Sequence, residues 1–173
     1  MRIEFSRPVR VDTIGNDDRA VTIEADAEER RCLSERFSLV AVDSLAACFA
    51  LRRDGAAIVA SGTVTAQVTQ SCSATGEPLP ARVEEAVTLR FVDDFASGNE
   101  EEVELSDDVL DTLPIESGAI DLGEAAAETM ALALDPFPRA PGAERALRAA
   151  GVVGEGEAGP FAALAALKAK PKG

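Results

Sequence analysis

Alternation of apolar and polar residues from Ile58 to Thr69 constrains the fold of this chain more than any other feature. The even-numbered positions from 58 to 68 are apolar or Gly, whereas the odd-numbered positions carry Val59 and then only Ser, Thr and Gln. A period of two is that of a β-strand with one face against the core and the other in water. The sequence therefore predicts a long, half-buried strand whose inward residues are Ile58, Ala60, Gly62, Val64, Ala66 and Val68.

Further strand patterns flank this one and predict an antiparallel meander. Residues 45–51 lead into it through Arg52-Arg53-Asp54-Gly55, and an Asp-Gly pair suits a hairpin turn. After a turn at residues 76–78, apolar and polar residues alternate again from Val83 to Phe91. Short runs at residues 3–5 and 9–14 predict two or three strands near the N-terminus. We expect a curved sheet that can close into a partial barrel.

Two helices complete the predicted α+β fold. A shorter one near the N-terminus spans residues 26–37, with Asp26 as its cap and Cys32, Leu33 and Phe37 at helical spacing. The main buried helix, near the C-terminal end, follows Asp121, with Glu124 placed as in a capping box. Residues 122–134 are apolar on most sides, which predicts packing across the sheet, and the step from Asp135 to Pro136 ends the helix.

The chain length favours a single domain followed by a tail. A chain of 173 residues is long enough for one well-buried core. We predict an α+β domain over residues 1–138, with a solvated acidic loop at about 93–111 that contains at most a short strand near Val103 and Leu105. Residues 139–173, rich in Ala, Gly, Pro and charge, predict a flexible tail. The tail ends in a short apolar docking motif formed by Phe161, Leu164 and Leu167.

The amino-acid composition excludes several kinds of catalytic and metal site. The chain has no His, so a Ser-His-Asp triad, a Cys-His pair and a histidine-ligated metal are excluded. Its cysteines, Cys32, Cys48 and Cys72, are odd in number and predict free, mostly buried thiols. No apolar stretch is long enough to span a membrane and no signal peptide is evident, so we expect a cytoplasmic protein. We predict no catalytic residue, metal, cofactor or small-molecule substrate.

Charge is distributed unevenly and favours a basic partner. The net charge is −14, and residues 91–138 contain fourteen acidic side chains without a single Lys or Arg. Such a field attracts basic proteins, repels phosphate backbones and weakens as salt rises. The candidate partner-binding residues are six carboxylates of this segment together with the apolar docking motif: Glu100, Glu101, Glu102, Glu104, Asp107, Asp108, Phe161, Leu164 and Leu167.

Three ordered sequence blocks occupy residues 64–78, 119–134 and 160–168. They resemble blocks of the YceD family, which is linked to accumulation of large-subunit ribosomal RNA in bacteria and plastids, and the resemblance extends over roughly residues 55–168. The first fifty residues match the family only loosely. The positions that carry the motif are Cys72, Gly76, Pro78, Ile120, Asp121 and Leu122.

The chain departs from the family pattern at its cysteines. Many members carry C-x-x-C at the strand end, where this chain has Cys72-Ser73-Ala74-Thr75. Some members add cysteines after the main helix, where this chain has Pro136-Phe137-Pro138-Arg139. Because one thiol is not a zinc site, the resemblance implies that a metal is dispensable to the shared function or that this branch has changed it.

The resemblance implies a non-enzymatic ribosome-biogenesis factor that supports accumulation of large-subunit (23S) ribosomal RNA. The charge pattern adds a mechanism, in which the protein binds a basic ribosomal protein or a large-subunit assembly intermediate. Two alternatives stay open. One is direct RNA binding through the eleven arginines of the first ninety residues, which still carry a net charge of −3. The other is an enzyme that uses carboxylates without His, although all three lysines lie in the last six residues.

Overall fold

The computed structural model describes residues 4–93 and 111–152, and for residue 111 the backbone alone. The chain divides into two compact units, Met1–Gln70 with Pro80–Pro136 and Ser71–Leu79 with Phe137–Gly173. Seven strands and three α-helices occur in the described residues: β1 (Pro8–Arg10), β2 (Arg19–Glu24), α1 (Ala27–Arg36), β3 (Ala41–Asp54), β4 (Ala57–Ser71), β5 (Pro78–Val92), β6 (Asp111–Pro114), β7 (Ala119–Asp121), α2 (Leu122–Ala133) and α3 (Ala143–Ala149). The α+β class is confirmed.

Five strands form the main sheet, in the order β2-β3-β4-β5-β6. β2 pairs with β3, and β3 with β4, in antiparallel register. The predicted hairpin is present: Asp54 pairs with Ala57 across a two-residue loop, and Gly55 takes a φ of 61° that favours glycine. Alternation along β4 is confirmed from Val64 to Val68, whereas near the hairpin Ala57 and Val59 are buried as well as Ile58.

Two features of the sheet differ from the prediction. β5 pairs with β6 in parallel, so the meander is not antiparallel throughout. Parallel pairing requires a long connection, and residues 93–110 supply it. The sheet is also open in the part of the chain that the structure describes, with β2 and β6 at its two ends, so the predicted partial closure is not found there. β1 and β7 form a separate two-stranded sheet.

Helix α1 begins at the predicted cap. The Asp26 carboxylate accepts the backbone N–H groups of Glu28 and Glu29, each at 2.9 Å, and the Glu29 carboxylate accepts the Asp26 N–H at 2.8 Å. These reciprocal bonds satisfy backbone donors that the first helical turn leaves unpaired. Leu33 is fully buried in the core, and it anchors α1 there.

Helix α2 is the main buried helix, as predicted. Its inner face supplies Leu122, Ala126, Ala127 and Met130, all fully buried in the core that also contains the sheet residues. The helix ends at Ala133, before the Asp135-Pro136 step. The expected capping box is only half formed, because Asp121 accepts backbone N–H groups but Glu124 binds an arginine instead.

The second unit contains a helix that the sequence did not predict. Helix α3 lies within the range assigned to the tail, and its first residue, Ala143, is buried with Ala140 and Cys72 in one cluster. The alanines of this segment show no strong helical periodicity, so the sequence alone does not predict this packing. Residues 94–110 of the acidic loop predicted at about 93–111, with its short strand near Val103 and Leu105, lie outside the described residues. The docking motif at Phe161, Leu164 and Leu167 also lies outside them.

Candidate functional site

The motif residue Asp121 joins the start of α2 to the N-terminal segment. One carboxylate oxygen accepts the Arg7 N–H at 2.8 Å, the Gly123 N–H at 2.9 Å and the Glu124 N–H at 3.2 Å. The other accepts the hydroxyl of Ser6. Backbone donors at a helix N-terminus favour a negative charge at this point. Asp121 therefore holds together two segments that are more than a hundred residues apart in the sequence.

Close backbone contact explains why glycine follows this motif. A Cβ atom at Gly123 would lie 2.5 Å from the carbonyl oxygen of Phe5, which is too close for any side chain. The Leu122 N–H also donates to the Arg7 carbonyl at 3.2 Å. Phe5 itself is fully buried. The first turn of α2 is thus fitted to the N-terminal segment, and the motif Ile120-Asp121-Leu122 supports architecture.

Two arginine–glutamate pairs bind α1 to the same region. Arg7 donates two bonds to the Glu29 carboxylate, at 2.7 and 2.9 Å, and Arg36 donates two to Glu124, at 2.6 and 2.9 Å, and one to Glu4 at 3.2 Å. The hydrogen bonds that Arg7 donates lower the pKa of Glu29, and those that Arg36 donates to Glu124 raise the pKa of Arg36. Bidentate pairs of this kind are strong and directional, so these charges are committed to the fold.

The motif residue Cys72 lies in a nest of hydrogen-bond donors in the second unit. Its sulfur accepts the Ala140 N–H at 3.2 Å, and the side chain is 3% exposed. The pKa of Cys72 is lowered to about 7, first by the hydroxyl of Thr75 and then by the Ala140 amide, with smaller contributions from the amides of Ala74 and Thr75. These donors stabilise the thiolate over the thiol.

The turn that follows Cys72 depends on the other two residues of this motif. Gly76 has a φ of 75° and donates its N–H to the Cys72 carbonyl at 2.9 Å, which closes the turn. The Cys72 N–H donates to the Glu77 carbonyl at 2.8 Å, and Pro78 then begins β5. One turn in the second unit thus contains Cys72, Gly76 and Pro78. The other motif residues, Ile120, Asp121 and Leu122, belong to the first unit.

The surroundings of Cys72 do not fit a zinc ion. Thr75 and Ala140 occupy the positions beside its sulfur, and neither offers the thiolate or imidazole ligand that a structural zinc site uses. No group of three or more His, Cys, Asp or Glu side chains within residues 4–93 and 111–152 has a metal-binding arrangement. All three cysteines are free, but only Cys72 is buried; Cys48 is exposed, so the prediction of mostly buried thiols is wrong.

An apolar groove with acidic edges runs beside α2. Its floor is formed by Phe91, Ile120 and Ala125, which are all almost completely buried. Leu113 and Pro114 of β6 also line the groove. Four carboxylates also line the groove: Glu116, Asp121, Glu124 and Glu128. Its volume is about 670 Å³, and no Lys or Arg is among its lining residues.

The predicted partner-binding residues fall on parts of the chain that the structure leaves undescribed. They are Glu100, Glu101, Glu102, Glu104, Asp107, Asp108, Phe161, Leu164 and Leu167, and their role stays a prediction. Among the described helices, none is long and apolar enough to cross a membrane.

Comparison with known proteins decides the family. Residues 60–168 match the model of the family described as "Large ribosomal RNA subunit accumulation protein YceD". The chain belongs to the YceD family. This confirms the resemblance inferred from the three sequence blocks, which lie wholly within the matched range. The curated proteins and the solved structures contain no significant match to the chain.

Within this YceD chain, two sets of residues escaped the sequence analysis. Ser6 and Arg7 hold the helix cap, although they lie outside the range that matches the family. At the turn Ser117-Gly118 both residues have positive φ, and Ser117 lines the groove. A Ser-Gly pair is a recognised turn signal and could have indicated this hairpin. No local signal indicates the N-terminal contacts.

Proposed function

We propose that this chain is a non-enzymatic ribosome-biogenesis factor. It supports the accumulation of large-subunit (23S) ribosomal RNA by binding a basic ribosomal protein or an assembly intermediate. Membership of the YceD family carries the ribosomal part of this proposal. The acidic segment supplies the mechanism, because fourteen carboxylates over residues 91–138 without a Lys or Arg create a field that attracts basic proteins.

The arginines of the first ninety residues favour protein binding over direct RNA binding. Several are committed to carboxylates: Arg7, Arg10, Arg31, Arg36 and Arg82 each form an ion pair at 3.2 Å or less. Arg53 donates instead to the backbone carbonyls of Ile14 and Val11. A guanidinium that is already paired has fewer donors for phosphate oxygens, and the neighbouring carboxylates repel the phosphates.

Masking a basic protein before it meets RNA is the physical task that follows. Long-range attraction raises the rate of association, while apolar contacts at Phe161, Leu164 and Leu167 prolong the complex once it forms. Screening by salt weakens the first contribution and leaves the second largely intact. The two contributions can therefore be separated by measuring association and dissociation rates at several salt concentrations.

The deciding experiment measures the ratio of large- to small-subunit ribosomal RNA in cells with and without the gene. We expect a selective fall in the large-subunit species, restored by the wild-type chain. The variant with Gln at Glu100, Glu101, Glu102 and Glu104 should restore it poorly, whereas Gln at the exposed Glu24 and Glu85, outside the acidic segment, should restore it fully. An unchanged ratio without the gene would refute the proposal.

A binding assay with purified components separates the two candidate targets. Tight binding of the wild-type protein to bare 23S ribosomal RNA at about 150 mM salt, where exposed charges beyond about 8 Å are largely screened, would overturn the protein-binding mechanism in favour of direct RNA contact. Weak RNA binding together with salt-sensitive capture of a basic large-subunit protein would support it. Changing Phe161 and Leu164 to Ala should then speed dissociation more than it slows association.

A further inference from the structure

The groove beside α2 combines an apolar floor with four carboxylates, of which the fold engages only two. Phe91 is 3% exposed, Ile120 1% and Ala125 4%, so the floor is a rigid part of the core. Leu113 and Pro114 extend the apolar surface along β6, and Pro8 adds to it from β1. The volume of about 670 Å³ lies in the range of ligand-binding clefts.

The four carboxylates that line the groove fall into two classes. Asp121 accepts four hydrogen bonds and Glu124 is paired with Arg36, so both are neutralised by their surroundings. Glu116 and Glu128 are exposed, and neither side chain forms an ion pair or hydrogen bond within the described residues. Two uncommitted negative charges therefore stand at the edges of an apolar surface.

The sequence between two strands that line the groove carries charge of the same sign. Phe91 and Leu113 line the groove and are paired across β5 and β6. The stretch between these strands in the sequence, residues 93–110, contains eight acidic residues and no Lys or Arg. Charge complementarity thus requires a positively charged occupant, and the apolar floor requires one with hydrophobic side chains.

We propose that this groove binds a short, basic, amphipathic segment of a partner protein. Apolar side chains of the segment pack on Phe91, Ile120 and Ala125, while flanking Arg or Lys side chains pair with Glu116 and Glu128. This assignment rests on the proposed function, and it locates the binding site for the basic partner in the folded unit. Nucleic acid is disfavoured as an occupant because its phosphates would meet these carboxylates.

The test uses the full-length protein and a fluorescent twelve-residue probe peptide that carries Leu at helical spacing on one side and Lys on the other. Fluorescence anisotropy at low salt measures its affinity. We expect the Glu116→Lys/Glu128→Lys double variant to bind the probe at least tenfold more weakly than wild type. The matched control, Glu24→Lys/Asp43→Lys, changes the net charge equally at exposed sites outside the groove and should change affinity less than threefold.

Two altered probes test the chemistry of the occupant. A peptide with Glu in place of Lys should lose binding through repulsion, and one with Ser in place of Leu should bind at least tenfold more weakly. If the Glu peptide binds as well as the Lys peptide, the groove accepts apolar ligands regardless of charge and the proposal is wrong. Circular dichroism melts of each variant establish that lost binding is not lost folding.

Failure of this inference is distinguishable from failure of the proposed function. Equal weakening by the groove variant and its control would overturn the groove as the site, while an altered ribosomal RNA ratio in cells lacking the gene would still uphold the biogenesis role. If Glu116→Lys/Glu128→Lys changes the sedimentation coefficient of the protein alone, the occupant is a second copy of the chain, and the inference also fails.

Discussion

Two groups of carboxylates in the larger unit differ in what the fold does with them. At the start of α2 and along α1, Asp121, Glu124 and Glu29 each accept several hydrogen bonds from residues distant in sequence. At the groove edges, Glu116 and Glu128 accept none from other side chains within the described residues. The first group stabilises the architecture, and the second is available to a partner.

This difference matters because the sequence presents all five as acids among many. Acidic residues of the first group have partly buried side chains, such as Glu124 at 20% and Glu29 at 18% exposure. Removing a partner from such a pair leaves a charge that water solvates poorly. Removing an exposed, unpaired carboxylate costs the fold almost nothing. Changes in the first group should therefore lower the free energy of unfolding more than changes in the second. Changes in the second group should weaken binding of a partner more than changes in the first.

The largest expected effect comes from the backbone contact that supports the paired group. Gly123→Ala places a Cβ atom 2.5 Å from the Phe5 carbonyl oxygen. We expect a loss of about 2–3 kcal/mol in the free energy of unfolding, since helix and N-terminal segment must move apart. Urea denaturation measures it. Gly15→Ala, where nothing lies within 4 Å of the added carbon, should stay within about 0.5 kcal/mol of wild type.

Arg36→Met breaks the paired group at its centre. The substitution leaves the partly buried carboxylates of Glu124 and Glu4 without the cation that they share. We expect the free energy of unfolding to fall by about 2 kcal/mol. The control is Arg31→Met. The side chains of Arg31 and Glu35 are 62% and 68% exposed, so loss of their pair should lower the free energy of unfolding by less than about 0.5 kcal/mol. Equal losses in the two variants would show that burial does not distinguish these pairs.

Glu29→Gln tests the same group through pH. Because Arg7 lowers the folded-state pKa of Glu29 below the ordinary value of 4.5, its contribution is complete above about pH 4.5 and is lost as pH falls through the folded pKa. We expect the variant to be about 1 kcal/mol less stable at pH 7, after allowance for the partly exposed Arg7. Denaturation curves from pH 7 to 3 should converge for the two proteins as acid is added.

In the second unit, the pKa of Cys72 tests whether hydrogen-bond donors around its sulfur stabilise the thiolate. In a background with Cys32 and Cys48 changed to Ser, the thiolate absorbance should titrate near pH 7, the pKa of Cys72. Thr75→Val removes the strongest donor and should raise this pKa. Ser73→Ala, whose hydroxyl donates to the Pro138 carbonyl, should leave it unchanged. An equal rise in both variants would assign the effect to the turn as a whole.

The smallest effect on stability is expected at the groove. Glu128→Gln removes an exposed, unpaired charge on α2 and should change the free energy of unfolding by less than about 0.5 kcal/mol. The same change should weaken binding of a basic probe, measured by anisotropy. A stability loss comparable to that of Arg36→Met would place Glu128 in the structural group and remove the distinction drawn between the two sets.

Local pattern alone determined much of this protein. The alternation from Val64 to Val68 determined a half-buried strand, and Asp26 and Asp121 determined where the two predicted helices begin, because strand periodicity and helix caps involve neighbouring residues. The three motif blocks likewise determined the family. Parallel pairing of β5 with β6 was not predictable, because strand direction depends on the path of a long connection.

Tertiary structure alone decided which charges are committed. Glu124 lies where a capping box would use it, yet its carboxylate binds Arg36 of another helix. Asp121 accepts the hydroxyl of Ser6, which lies 115 residues earlier in the sequence. Glu116 and Glu128 are left unpaired within the described residues by the same packing. The physical reason is that the partner of a charged side chain is set by which distant segments meet, and no local period or propensity carries that information.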